Sequence, residues 1–441
     1  MVRRKKLPNA ELRYLCLMQG PAKIQVSSEI GALKRVMIHR PDAGIARISP
    51  KRASELLFDD IVHLPQMQEE HDVFSAVLRA FLGDENVLES HQLLLESLQD
   101  DRETREEVIR MIIDYEELPK SYIQLLSDLP DEKLARTLIT GYLEDDDHIL
   151  LDPIPNFIFT RDLAVVVNDH VVITKASKMA RFRENFLTRF ICWSHPIFKG
   201  LREAGKMINL NHVDEFPPSK KGESVSMEGG DMMIINQDYL LIGCSERTTS
   251  HAIQLLKDAL FEKNVIRHVV QINIPQDRSY MHIDTIFTQI SKRHITAYKP
   301  IVMDGLASNV QVYSKNGGYR EYGSVQEFFH NEIDQDMEFI PSGNGQSPYQ
   351  EREQWTDGCN LVAIKPGVAL TYDRNPETEK AFQANGYQIL HAHDFLKAVK
   401  AGKLDPATLE QTIITLPSNE LSRARGGSHC MTCPLERAPI D

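Results

Sequence analysis

The sequence predicts an α/β fold: repeated ββαβ units form a pseudo-symmetric ring, interrupted by an inserted bundle of α-helices. Three observations predict it. Pairs of β-branched runs split by a short polar turn recur along the chain. A helical pattern, then often another apolar run, follows most of these pairs. One long stretch instead has helical spacing and few strand signals.

Residues 1–20 read as a loose N-terminal arm. Their basic start, Met1-Val2-Arg3-Arg4-Lys5-Lys6, is followed by Pro8, Asn9, Glu11 and Arg13, which interrupt the apolar stretch a signal peptide needs. Residues 21–90 form a first and more divergent unit, headed by the apolar run at 33–41. Residues 91–150 are the inserted helical domain. Leu93, Leu94, Leu95, Val108, Ile109, Ile112, Ile113 and Leu134 recur there at helical spacing, and Glu144-Asp145-Asp146-Asp147 closes it as a solvated linker. Residues 151–441 hold the remaining units. Their hairpins lie at 163–167 with 171–174, 232–235 with 239–243, 285–287 with 294–298, and 361–364 with 368–372. Helical patterns follow at 181–190, 248–261 and 377–384, and further apolar runs at 265–274 and 388–392. Units of this kind, repeating here at irregular intervals of roughly 50 to 75 residues, bury their faces by arranging themselves around an axis. A polar motif precedes the first strand of each of these four units, so a ring gathers the motifs near its axis.

A chain of 441 residues is long enough for a large core. Its formal charge of −13 disfavours nucleic acid, since neutralising phosphates needs surplus Lys and Arg. No apolar run approaches the roughly 20 residues that span a bilayer. The six cysteines are too sparse for a disulfide framework, which points to free thiols in the cytoplasm. Homo-oligomerisation is left open.

The motifs carry the chemistry. Arg425-Gly426-Gly427-Ser428-His429-Cys430 sets a cysteine among glycines, where the backbone can approach a bound molecule closely. Residues 425–434 therefore read as an exposed loop with Cys430 as nucleophile. Upstream lie Phe159-Thr160-Arg161-Asp162, Met227-Glu228-Gly229-Gly230-Asp231 and Met281-His282-Ile283-Asp284. His282 and Asp284 are two apart on an expected strand, so both face one side. Carboxylates present planar oxygen pairs that match a guanidinium fork, and Asp162 and Asp284 are placed to clamp one. A thiol must ionise before it attacks. The leaving amine needs a proton, for which His282 is the donor, with Glu228 to orient His282 or to take a guanidinium proton. Cys430-x-x-Cys433 admits a zinc reading, but a structural zinc wants four ligands and no second pair is spaced to supply them. No metal and no organic cofactor is expected.

With these residues in place, the chain resembles the arginine deiminases of the guanidine-modifying superfamily. The resemblance runs from about residue 24 to the end. It rests on Glu55-Leu56-Leu57-Phe58-Asp59-Asp60, Asn156-x-x-Phe159-Thr160-Arg161-Asp162, Glu228-Gly229-Gly230-Asp231, Glu246-Arg247-Thr248, Met281-His282-x-Asp284-Thr285, Glu351-Arg352-Glu353-Gln354-Trp355-x-Asp357-Gly358-x-Asn360, Tyr372-Asp373-Arg374-Asn375 and the cysteine loop. It implies a five-bladed α/β propeller, the pentein fold, with a helical insertion. It also implies hydrolysis of free L-arginine by water to L-citrulline and ammonia.

The resemblance assigns roles residue by residue. Cys430 is implied to form a covalent thiouronium adduct, and His282 to act as acid and then base. Asp162 and Asp284 are implied to hold the guanidinium, with Glu228 beside them. Arg181 and Arg247, aided by Asn156, are implied to hold the substrate α-carboxylate. Phe159 is implied to pack on the aliphatic stem, and Arg425 to gate the site. An amidinotransferase, or a deiminase of another guanidino compound, would use the same core residues. A catalytically silent binding protein on this fold would have no need of the nucleophile. Cys359 stands where Asn or another small residue is usual, which places a second thiol near the site.

Overall fold

The computed structural model describes residues 23–440 apart from 59, 144–147 and 307. The expected arm at 1–20 and the acidic linker lie outside the described residues.

Each predicted hairpin forms within a few residues of its expected bounds. Ala164–Val167 pairs antiparallel with His170–Ile173, and Met232–Asn236 with Tyr239–Cys244. Phe287–Gln289 pairs with His294–Ala297, and Val362–Lys365 with Val368–Tyr372. Short polar turns close them. Asn168 adopts φ 52°, a left-handed conformation that asparagine tolerates better than most residues. After each of the first three hairpins the chain crosses over and returns a parallel strand beside the second hairpin strand. These are Met207–Asn209, His268–Asn273 and Glu338–Pro341. The helices Phe182–Ser194 and Ser250–Glu262 make the first two crossovers. In the second, the Thr249 hydroxyl caps the helix by accepting from the Ala252 amide.

Three sheets depart from a simple ββαβ repeat. Beyond His268–Asn273 the second adds two antiparallel strands, Asn309–Ser314 and Tyr319–Tyr322. After Val368–Tyr372, the strand Gln388–His391 does not pair with the hairpin. Thr412–Leu416 lies between them, parallel to both. The first sheet is assembled from both chain ends. Leu33–Ile38 pairs parallel with Val87–Glu89 and antiparallel with Cys433–Arg437. The unit expected at 21–90 thus takes its hairpin partner from the strand that directly follows the cysteine loop. Among the described residues this gives five sheets of three to five strands and one two-stranded pair.

The stretch at 91–150 is helical as expected. Ser90–Asp100, Arg102–Tyr115, Ser121–Ser127 and Asp131–Thr140 precede the small pair Tyr142–Leu143 and His148–Ile149. It does not have a core of its own. Leu94, Leu98, Ile109, Ile113 and Leu138 pack in one buried cluster with Val166, Leu187 and Ile242 of the neighbouring sheets and helix. That shared burial fixes the insertion against the helix Phe182–Ser194.

The polar motifs are not strands. Thr160–Asp162, Gly229–Asp231 and Ile283–Thr285 are single 3-10 turns. The expectation that His282 and Asp284 share a strand face is therefore corrected. His282 is the extended residue that enters the turn, and Asp284 lies inside it. The turns are cross-linked in sequence. The Gly230 amide donates to Asp162 Oδ1 and the Ile283 amide to Asp231 Oδ1. Asn360 Nδ2 donates to the Asp284 carbonyl, the Cys430 amide to Asn360 Oδ1, and the Arg161 amide to the Cys430 carbonyl. The circuit returns to the turn where it began.

Candidate active site

A cavity opens where these turns meet. Asn156, Phe159, Asp162, Arg181, Glu228, Arg247, His282, Arg425 and Cys430 line it, together with Leu57, Met281, Thr285 and Ala424. Of the site residues expected from the sequence, Asp284 alone is not in its wall. It is fully buried behind the thiol, with Oδ2 3.5 Å from Cys430 Sγ.

Cys430 is not on an exposed loop. It is 5% exposed and packs with Phe159, Ala424 and Met431. Its amide and Sγ are both held by Asn360: Oδ1 accepts from the amide at 3.1 Å, and Nδ2 donates to the sulfur at 3.1 Å. Burial pushes the thiol well above its ordinary pKa, and Asp284, Asp162 and Asp357 add to the rise, while the Asn360 hydrogen bond opposes it. The resting group is the thiol.

His282 carries the opposite charge state. Burial disfavours its cation, but Asp162, the hydrogen bond to Glu228 and the charge of Asp231 overcome that and raise it to about 10. Nε2 donates to Glu228 Oε2 at 3.1 Å, and Nδ1 lies 3.7 Å from Asp162 Oδ1. Burial opposes the Glu228 charge, yet Arg181, His282 and Arg247 hold its carboxyl well below the usual range.

The backbone beneath the imidazole has to be glycine. A Cβ on Gly230 would lie 2.4 Å from His282 Nδ1. Gly230→Ala is expected to displace the ring and lower kcat by about 10- to 100-fold, since sub-ångström misplacement of a catalytic group is costly. Steady-state kinetics beside a melting curve checks it. A Cβ on Gly426 would come within 2.3 Å of the Phe159 ring, so that glycine lets the cysteine loop close on Phe159.

The two arginines assigned together differ. Arg181 Nη1 donates to Asp162 Oδ2 at 2.7 Å and to Glu228 Oε2 at 3.0 Å, and Nε donates to Glu184 Oε2 at 2.8 Å. Its guanidinium is thus charge-matched on the very acids expected to hold or flank a guanidinium. Glu184 is raised to about 7, chiefly by burial, against the pull of Arg181. Arg247 is held more loosely: Nη2 donates to Met281 Sδ at 3.7 Å, Glu228 and Glu246 lie 3.8 and 4.0 Å away, and its Nε has no hydrogen-bond partner among the described residues. Asn156 Nδ2 donates to the Leu56 carbonyl, tying the segment that brings Leu57 to the cavity. Arg425 has the left-handed φ of 60° and stacks 3.3 Å above the Trp355 ring.

Asp162, Glu228 and His282 also have ligand atoms close enough together for a metal ion. Arg181 already donates to both acids and the protonated imidazole has no lone pair to offer, so the set as it stands does not fit a metal ion. Cys433 contributes no second ligand, because its Sγ lies 3.1 Å from the Ala164 carbonyl. Cys359 is buried in a separate apolar cluster, and burial pushes its thiol up to about 12. No helix among the described residues is long and apolar enough to cross a membrane.

Sequence reasoning misses Asn360, which holds the thiol, and Glu29 and the role of His429, which are buried behind it. Asn360 belongs to a motif that carries the resemblance, and His429 sits beside the cysteine. Glu29 stands in an undistinguished loop with no signal to pick it out.

Comparison with known proteins identifies the family. The arginine deiminase family model matches residues 54–437. An arginine deiminase of Listeria monocytogenes is 31% identical, with 95% of this chain and 99% of that protein covered. An arginine deiminase of Limosilactobacillus reuteri is 33% identical over 96% of this chain and 100% of its own. Among solved structures, SxtG, an amidinotransferase from Microseira wollei in the saxitoxin biosynthetic pathway, matches with a TM-score of 0.50 at 13% identity. That match covers 95% of this chain and 98% of SxtG, and shows a shared mixed α/β fold. The chain belongs to the arginine deiminase family.

Proposed function

We propose that the protein hydrolyses free L-arginine to L-citrulline and ammonia through a thiouronium adduct on Cys430. One observation supports this reading above the others. A thiol, a charged imidazole and two acids line one cavity, and the acids already carry a guanidinium, that of Arg181. We also read the five sheets as blades of one pseudo-symmetric propeller. The closed circuit of hydrogen bonds among the turns supports that arrangement.

The substrate guanidinium replaces that of Arg181 on Asp162 and Glu228. Arg181 then turns, with Arg247, to the substrate α-carboxylate. A cation beside Cys430 lowers the thiol pKa, so substrate arrival releases the thiol proton to solvent and promotes its own attack. The same like charge weakens the hold of His282 on its proton. The thiolate adds to the guanidinium carbon, and His282 gives its proton to the departing ammonia. The neutral imidazole then takes a proton from water, which adds to the thiouronium carbon. The C–S bond breaks as the adduct's hydroxyl proton passes to the sulfur, which forms the citrulline carbonyl, restores the thiol and lets citrulline leave. Asp284, set behind the sulfur, balances the cationic intermediate. Phe159 packs on the substrate's methylene stem, Asn156 helps seat the α-carboxylate, and Arg425 closes over the mouth of the cavity.

The test is incubation with L-arginine and assay of citrulline and ammonia. No citrulline at any pH overturns the reading, and transfer of the amidino group to added glycine or ornithine makes the protein a transferase. Arg247→Ala is expected to raise KM for arginine by about 10- to 100-fold, and much less for agmatine, which lacks the carboxylate. Equal effects on the two substrates contradict its assignment.

A further inference from the structure

A second buried network runs away from the cavity behind the nucleophile. Arg161 Nη2 lies 3.0 Å from Glu29 Oε2 and 2.9 Å from His429 Nε2. A guanidinium nitrogen only donates, and Nη2 has two hydrogens for these two acceptors. Glu29 Oε2 also lies 3.3 Å from Nε2, but Arg161 is nearer and donates to both, so His429 Nε2 offers its lone pair to Arg161 and the ring proton sits on Nδ1. That nitrogen lies 2.8 Å from Asp284 Oδ2, the same oxygen that meets Cys430 Sγ at 3.5 Å. The chain of contacts is Glu29, Arg161, His429, Asp284, Cys430, and each of these residues is at most 5% exposed. Glu29 Oε1 is occupied as well, accepting from the Ile234 amide and Arg161 Nη1, so the far end is anchored to a strand.

We propose that His429 is a positioning residue for this reaction: its Nδ1 proton, fixed by the Arg161–Glu29 pair, holds Asp284 as a charged acceptor aimed at the Cys430 sulfur. The inference rests on the proposed function. It gives the buried acid behind the thiol a reason to stay ionised. Burial alone opposes the Asp284 charge, and the His429 hydrogen bond leads the influences that lower its pKa, with His282 and Arg161 adding to it. The groups facing the thiol are Asp284, Asp162, Asp357 and Asn360, and those facing the His429 ring are Arg161, Glu29 and Asp284. His429 is thus the imidazole beside the nucleophile that cannot serve as its base, since its one lone pair points away toward Arg161.

Two near-isosteric variants separate positioning from packing. Asn places a side-chain donor near the Nδ1 position, and Gln places one near Nε2. His429→Asn is expected to keep kcat within about 5-fold of wild type, whereas His429→Gln loses about 100-fold in kcat with KM unchanged. The Gln variant also moves the acid limb of its pH–rate profile upward by about one unit, because Asp284 loses the donor that keeps it ionised. A mainly structural role predicts the reverse order, since Gln preserves more volume and the contact with Arg161. Equal losses, or a milder loss in Gln, overturn the inference. Should the variants not fold, nitrogen NMR of the wild-type His429 ring decides: the Nδ1–H tautomer supports it and the Nε2–H tautomer overturns it. A wild-type protein that makes no citrulline overturns the proposed function instead.

Discussion

Cys430→Ser is expected to abolish citrulline formation, by about 10³-fold or more, while the chain folds as before. The sulfur is seated by one hydrogen bond from Asn360 and one contact with Asp284, both of which a hydroxyl can accept or make. Serine removes one small apolar contact in a cluster with Phe159 and Met431, so the melting temperature should fall by only a few degrees. The chemistry changes far more. A guanidinium is a weak electrophile because its charge is delocalised, and only an anionic nucleophile adds to it readily. The Cys430 thiol is already pushed up by burial and three acids. A serine hydroxyl starts several units higher, and the arrival of one substrate cation does not bring it within range of neutral pH. A loss of 10³-fold corresponds to about 4 kcal/mol of transition-state stabilisation. Citrulline assays on matched amounts of folded protein check this, and a serine variant with near-normal turnover removes Cys430 from the mechanism.

Glu228→Gln is expected to have the second-largest effect, because it acts on two groups at once. Removing a negative neighbour makes the His282 cation less favourable, so its pKa of about 10 moves down by about one unit or more. The direction follows from the contacts: Oε2 accepts from His282 Nε2 and also from Arg181. The amide can still offer an oxygen to one of them, but carries no charge for either. A lower pKa leaves less protonated imidazole at alkaline pH and a weaker seat for the incoming guanidinium. The expected outcome is a kcat loss of about 10²-fold, with a smaller rise in KM. Titration of histidine-labelled protein by NMR reads the His282 shift directly. A midpoint unchanged by the substitution contradicts the claim that Glu228 sustains the charged imidazole.

Much of the fold and the site is legible in the amino-acid sequence, for physical reasons that differ by residue. The hairpins are legible because β-branched runs flank turn residues such as Asn168-Asp169 and Gln237-Asp238 within ten positions. The first sheet is not, because Leu33–Ile38 finds its hairpin partner in Cys433–Arg437 and distant pairing leaves no local trace. Thr412–Leu416 displaces Gln388–His391 for the same reason: only packing puts the later run beside the hairpin. His282 and Asp284 read as strand residues because strands follow them. The 3-10 turn that separates their directions is specified by the Asp231 and Asn360 contacts from other segments.

The functional side chains divide along the same line. Asp162, Glu228, His282 and Cys430 sit in compact motifs, and those of Glu228 and Cys430 contain paired glycines, where close approach constrains the composition. Arg181 can be named only through the family resemblance, since Arg183 and Arg189 share its surroundings and its character. Nothing local reveals that its guanidinium rests on Asp162 and Glu228. Glu29 is a single acid in a loop, and its pairing with Arg161 is a property of the folded interior alone.

The most direct test of the central claim is acid quenching of the protein during turnover of L-arginine in heavy-oxygen water, followed by mass spectrometry of its peptides and product. The account predicts an amidino adduct of the substrate on the peptide containing Cys430, and citrulline carrying one heavy oxygen. Turnover with no adduct, an adduct on another residue, or citrulline free of the label would contradict it.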